Sequence, residues 1–156
     1  MKILIIEDTE IHMQSAREQF GSHELEVVSS YEQGEFALQK VGFDVVLTDL
    51  MMPKGGDAIM GPKGMRYIFD LLPYGFPLLL LATKKSTPYI GLVTDVNHHD
   101  HPMSACIDPL SSAYWNEQDS QRALFRMNDS KVGIFHAPFL SDGRKDWNRV
   151  LEVLLK

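Results

Sequence analysis

Three acids at the ends of two apolar runs are the residues of this chain best placed to do chemistry. Lys2-Ile3-Leu4-Ile5-Ile6 leads directly into Glu7 and Asp8, and Val45-Val46-Leu47-Thr48 leads into Asp49 before the chain breaks at Pro53. A short apolar run bounded by turn formers has the length of a buried strand. Two such strands can bring three negative charges to one edge of a sheet. Carboxylates crowded in this way raise one another's pKa unless a hard cation compensates them, and Mg²⁺ takes oxygen ligands of this kind.

The elements that must position these acids alternate between strand-like and helix-like patterns, which argues for a parallel α/β sheet. Strands are expected over residues 2–6, 25–28, 45–48, 77–82 and 132–135. Thr9 can cap a helix through Met13, Ala16 and Phe20 that stops at Gly21. Ser30 and Gln33 match a capping box for a helix over 31–40, which Gly42 stops. A third helix is expected over 63–72, ended by Pro73. Ser141 can cap a last helix whose Trp147, Val150, Leu151 and Leu154 form one apolar stripe.

Glu7-Asp8 and the string Asp49-Leu50-Met51-Met52-Pro53, about 40 residues apart, resemble the acidic pair and the phosphate-accepting aspartate of the receiver (response-regulator) family of two-component signalling. The resemblance is close over 1–53, looser over 62–83 and present again over 131–156, and it is absent between 84 and 130. It implies a doubly wound, flavodoxin-like parallel sheet of five strands in the order 2-1-3-4-5. It implies one receiver-like domain over 1–156, with an enlarged loop at Lys54 to Lys63 and a large insertion at about 84–130. In this reading Asp8 and Asp49 ligate Mg²⁺, Glu7 acts through water, and the Met51 carbonyl adds an oxygen. Asp49 attacks a phosphoryl group to give an acyl phosphate. The implied partners are a histidine kinase or phosphotransfer protein upstream and another protein downstream. The implied role is a stand-alone phosphoacceptor module rather than a turnover enzyme.

The chain departs from the family pattern at two site positions. The Ser or Thr that ends the fourth strand falls on Ala82 in strict alignment, and on Thr83 if the strand shifts by one. The lysine that precedes a proline after the last strand is replaced by Ala137 in His136-Ala137-Pro138-Phe139. Lys84 or Lys85, just past the expected fourth strand, can reach back as a substitute. The Ala137-Pro138 bond is expected to be cis, as in receivers. Phe135 is expected to pack in the core. These departures leave open a pseudo-receiver that works by protein binding without phosphorylation.

The insertion holds His98, His99 and His101 beside Asp95 and Asp100, which raises a third reading, a metal-dependent hydrolase. The plainer expectation is a polar loop over the strand ends. Tyr114-Trp115 is expected to anchor a loop, Cys106 to pack as a small apolar residue, and His12 and His136 to be ordinary polar or half-buried histidines.

The whole chain bounds these readings. Its 156 residues suit one domain with a real core, at 44% hydrophobic and 23% charged. Twenty-one acids against 15 bases give −6, which argues against general nucleic-acid binding. One cysteine, no apolar run long enough for a bilayer and no signal-like N-terminus fit a cytoplasmic protein.

Overall fold

The computed structural model describes residues 1–56, 60–97, 99–111 and 115–156. Its centre is a six-stranded sheet of β1 (Lys2–Ile6), β2 (Glu24–Val28), β3 (Val45–Thr48), β4 (Tyr89–Thr94), β5 (Leu124–Met127) and β6 (Ser130–His136). The order is β2-β1-β3-β4-β6-β5. Every pair is parallel except β5 with β6, which is antiparallel at the edge. The five parallel strands reproduce the doubly wound order 2-1-3-4-5 expected from sequence, and β5 is an addition.

Helices α1 (Glu10–Gln19) and α7 (Trp147–Leu155) cover one face, and α2 (Tyr31–Lys40) and α4 (Gly75–Lys84) cover the other. Alternate strand residues therefore enter different cores. Ile3, Ile5, Val45, Leu47 and Phe135 pack with Ala16, Phe20, Trp147 and Leu154. Leu4, Ile6, Val46, Leu92 and Ile134 pack with Ala37, Leu38, Leu78 and Ala82. With both faces covered, β1 and β3 read as unbroken apolar runs. Ser30 caps α2 as expected, accepting from Gln33 N at 3.4 Å, while Gln33 Oε1 reaches back to Ser29 N at 2.9 Å.

The stretch Pro77 to Ala82, expected as the fourth strand, is the body of α4. A leucine run of this length fits a buried strand or a buried helix equally by pattern, and tertiary packing decides. Pro77 lies in the first turn, where its missing N–H costs nothing. Leu78, Leu79, Ala82 and Thr83 are buried, whereas Leu80 is 53% exposed, a helical rather than an all-buried pattern. The fourth strand is instead Tyr-Ile-Gly-Leu-Val-Thr over Tyr89–Thr94.

Three further expectations shift with it. The helix placed at 63–72 is only the single turn α3 (Pro62–Met65), so α4 is the helix that follows β3. The insertion lies between Thr94 and Ser130 rather than at 84–130, and carries α5 (Pro102–Ile107), α6 (Glu117–Arg122) and β5. The last helix starts after Asp146, whose side chain accepts from Arg149 N at 3.1 Å, and Ser141 does not cap it. Cys106, expected to be packed, is exposed. His98, Tyr114 and part of the enlarged loop, 57–59, lie outside the described residues.

Gly75 links fold to site. It opens α4 and donates its N–H to Leu50 O at 3.0 Å. A Cβ at this position would stand 2.2 Å from Asp49 O and 2.9 Å from Leu50 Cα, both backbone atoms that cannot turn aside. Gly75→Ala is expected to cost about 1–3 kcal/mol, the usual range for overpacking. Urea unfolding of the variant checks this, with the midpoint falling and the slope unchanged.

Candidate functional site

The register of β1 against β3 places Ile6 beside Thr48, so Glu7 and Asp49 leave the sheet side by side at its C-terminal edge. Backbone bonds fix both: Glu7 N donates to Val28 O at 2.9 Å and Asp49 N to Ile6 O at 2.8 Å. Oxygens of Glu7, Asp8 and Asp49 all lie within 4.8 Å of one another. The convergence of the three acids follows from strand order, as the sequence pattern suggested. Glu7 is fully buried, Asp49 is 3% exposed, and Asp8 is half-buried.

A cation already stands among them, and sequence reasoning missed it. Lys145 Nζ is 2.6 Å from Glu7 Oε2, 3.4 Å from Asp49 Oδ1 and 3.5 Å from Asp95 Oδ1, with no exposed surface. It also donates to Val93 O at 3.4 Å. Lys145 belongs to the segment between β6 and α7, eight positions beyond the Ala137 at which a lysine was sought. Asp95, the residue after β4, was missed as a site acid because the strand before it was misplaced. Its pattern, an apolar run ending in an acid, is the same signal that revealed Glu7 and Asp49.

The electrostatics show a cluster short of positive charge. Burial pushes the Asp49 carboxyl well up, Lys145 opposes this, and Glu7 and Asp95 reinforce it. Asp8 is also raised, by burial first and then by Glu7. Burial alone would depress the Lys145 ammonium, but Asp49, Glu7 and Asp95 more than offset it and hold the proton on. Asp95 is held far below the ordinary carboxylate range, chiefly by His12, whose Nε2 is 3.4 Å from Asp95 Oδ2.

This surplus of negative charge is what an oxygen-liganded divalent cation fits. Both Glu7 oxygens are engaged, Oε1 by Thr9 N at 3.0 Å and Oε2 by Lys145. That leaves Asp8 and Asp49 as the side chains open to direct ligation.

The substitutes suggested by sequence fall elsewhere. Thr83 and Lys84 lie in the last turn of α4, which leads into the start of β4 and so sits at the opposite end of the sheet from Asp49. Thr83 Oγ1 is spent on Leu80 O at 2.8 Å. The hydroxyl that does end β4 is Thr94, fully buried, its Oγ1 accepting from Val96 N at 3.2 Å. The Ala137-Pro138 bond is trans, not cis. Phe135 is a core residue as expected.

In the insertion, His101 is used as a cap, its Nδ1 accepting from Met103 N at 3.0 Å. Among the described residues the acidic trio is the only group of three or more His, Cys, Asp or Glu arranged to share a metal. Trp115 anchors its loop as expected, donating to His136 O at 2.9 Å with its ring against Phe135. His136 pairs with Asp108 at 3.0 Å. His12, read as ordinary, is buried within the site network.

The sheet order, the helices on both faces and the acids at the β1 and β3 ends define the fold of a receiver domain. The non-phosphorylated HemR receiver domain from Leptospira biflexa matches over 98% of this chain and 93% of its own, with a TM-score of 0.52 at 16% identity. RcsB from Salmonella enterica serovar Typhimurium, solved bound to promoter rprA in the presence of phosphomimetic BeF3−, matches over 100% of this chain and 99% of its own, with a TM-score of 0.52 at 14% identity. No family model matches the chain. No curated protein matches it either. No helix among the described residues is long and apolar enough to cross a membrane.

Two expected outcomes follow from the charge balance. Lys145→Met leaves Glu7 and Asp49 buried without their cation and is expected to lower stability by about 3–5 kcal/mol. Mg²⁺ should restore part of the loss, as read by thermal melts with and without the ion. Asp95 has a folded-state pKa below its ordinary 3.8, so its contribution is present above that value and fades as pH falls through the lower one. The stability gap between wild type and Asp95→Asn should therefore be full near neutrality and close under acid conditions, measured by denaturant unfolding across pH.

Proposed function

We propose that this chain is a receiver-like signalling module that accepts a phosphoryl group on Asp49 with Mg²⁺ at the acidic cluster. The observation that carries this reading is a buried aspartate at a strand end with a buried ammonium 3.4 Å away and two more acids within 4.8 Å. That combination supplies a nucleophile, a cation for the incoming phosphoryl oxygens and ligands for a metal. Asp8 and Asp49 would hold the ion directly, Glu7 through water, and the Met51 carbonyl would complete the protein's share. When bound, Mg²⁺ offsets the charge on the transferring group.

The chain's own residues do the rest. Asp49 Oδ1 is held by Leu50 N at 2.6 Å and faces Lys145, so Oδ2 is the oxygen that attacks. It forms a bond to phosphorus while the bond from phosphorus to the donor, a phosphohistidine nitrogen or an acyl oxygen, breaks. The electron pair of that bond leaves with the donor, and the product is an acyl phosphate on Asp49. Lys145 then pairs with a phosphoryl oxygen, and the Thr94 hydroxyl at the end of β4 is the nearest analogue of a phosphate donor. The partners of such a module are a histidine kinase or phosphotransfer protein and a downstream protein that reads the new shape. The protein acts as a phosphoacceptor and not as a turnover enzyme.

Incubation with Mg²⁺ and acetyl phosphate, followed by intact mass, tests the reading. Wild type is expected to gain one phosphoryl group that hydroxylamine removes, and Asp49→Asn to gain none and to lose Mg²⁺ binding as well. A wild type that binds Mg²⁺ but forms no adduct, and shows no response to beryllofluoride, would instead be a binding module with a relic aspartate.

A further inference from the structure

Lys145 sits outside every helix and strand, in the segment between β6 and α7, yet it is completely buried. Its backbone is held by side chains of α1. His12 Nδ1 accepts the Lys145 N–H at 3.2 Å. Ser15 Oγ and Gln19 Nε2 both donate to the Lys145 carbonyl, each at 2.9 Å. Positions 12, 15 and 19 are spaced by three and four residues, so they form one stripe along the helix. His12 and Ser15 are buried, and burying polar groups on a helix face is costly unless each is paired. Here all three end on the same residue.

His12 also reaches the ammonium end. Because Nδ1 accepts a backbone N–H, the ring proton of the neutral imidazole lies on Nε2, which faces Asp95 Oδ2 at 3.4 Å. The other oxygen of Asp95 is 3.5 Å from Lys145 Nζ. One imidazole therefore fixes Lys145 at its backbone directly and at its charged tip through Asp95. Apolar packing between α1 and α7 is already supplied by Ala16, Phe20, Trp147 and Leu154, so the polar stripe is not needed to close the core.

We propose that the His12–Ser15–Gln19 stripe of α1 is a positioning cradle that holds Lys145 on Asp49 for phosphoryl transfer. The stripe gives a residue carried by a connecting segment the fixed position that a strand end would otherwise give. This inference rests on the reading of Asp49 as the phosphoacceptor. His12, Ser15 and Gln19 touch no reacting atom, and they act through Lys145.

The test uses the whole chain as the Ser15→Ala/Gln19→Ala double variant, and as His12→Ala beside His12→Asn, whose amide oxygen can replace Nδ1. Two readouts are taken on each. One is the labelling rate of Lys145 by an amine-reactive ester, followed by peptide mass. The other is the rate of adduct formation with Mg²⁺ and acetyl phosphate. Wild type is expected to protect Lys145. The double variant should label it about tenfold faster and form adduct about tenfold more slowly, the change expected for lost hydrogen bonds, while Mg²⁺ affinity and the circular dichroism spectrum hold. His12→Asn should lie closer to wild type than His12→Ala in both readouts, and this pair decides the matter if the double variant does not fold. Unchanged labelling in the variants overturns the cradle. Faster labelling with an unchanged adduct rate overturns its positioning role and leaves only a structural one. A wild type that forms no adduct overturns the phosphoacceptor reading itself and the positioning role with it, a failure visible before any variant is made.

Discussion

The burial of one ammonium among three carboxylates is the constraint on which this structure turns. Moving charges out of water costs several kcal/mol for each ion, and the cost is recovered only where geometry and hydrogen bonding are nearly complete. Lys145 meets Glu7 from β1, Asp49 from β3 and Asp95 from β4, and takes the Val93 carbonyl as well. These partners stand on three adjacent strands. The adjacency of β1, β3 and β4 is thus what makes the site, because it brings all three strand ends within reach of one nitrogen.

Around this centre the structure distributes support unevenly. The strands fix the acids through ladder bonds that run to their last residues. The segment carrying Lys145 has no ladder beyond a single bridge to Phe139, and it borrows rigidity from α1. Trp147 adds to this, its indole N–H donating to His12 O at 3.0 Å and its ring lying 5.5 Å from the Lys145 ammonium. The cation, the helix that holds it and the helix that follows it are therefore one connected unit. The insertion joins that unit from outside, where Arg149 on α7 donates to Trp115 O at 2.8 Å. Its strand β5 extends the sheet at the edge away from the acids and adds no charged group to the site.

The cluster leaves Asp8 and Asp49 as the groups to which a divalent ion could add. With Lys145 in place, Glu7 is satisfied on both oxygens. Burial and the neighbouring acids still push the Asp8 and Asp49 carboxyls up, and an oxygen-liganded cation would relieve this.

The parts of this protein whose physics is local are readable from its residues alone. An apolar run that ends in acids carries its burial and its chemistry in consecutive residues, so Glu7, Asp8 and Asp49 were legible, and so were β1, β3 and the Ser30 cap of α2, whereas Thr9 precedes α1 without a side-chain capping bond. The parallel sheet followed from the alternation of elements, and the order of its strands from the family resemblance. The tertiary structure decided the rest. Pro77 to Ala82 reads equally as strand or helix, and only the open face of β3 and β4 beside α2 made it α4. That one choice moves β4 to Tyr89–Thr94, puts Thr94 and Asp95 at the site edge and carries Lys84 to the far end of the sheet. Lys145 was illegible for a deeper reason. It meets Glu7 across 138 positions, on a segment without periodicity, and a lysine ahead of an amphipathic helix is ordinarily a solvated one. No local pattern distinguishes a lysine that solvent will keep from one that three distant carboxylates will bury.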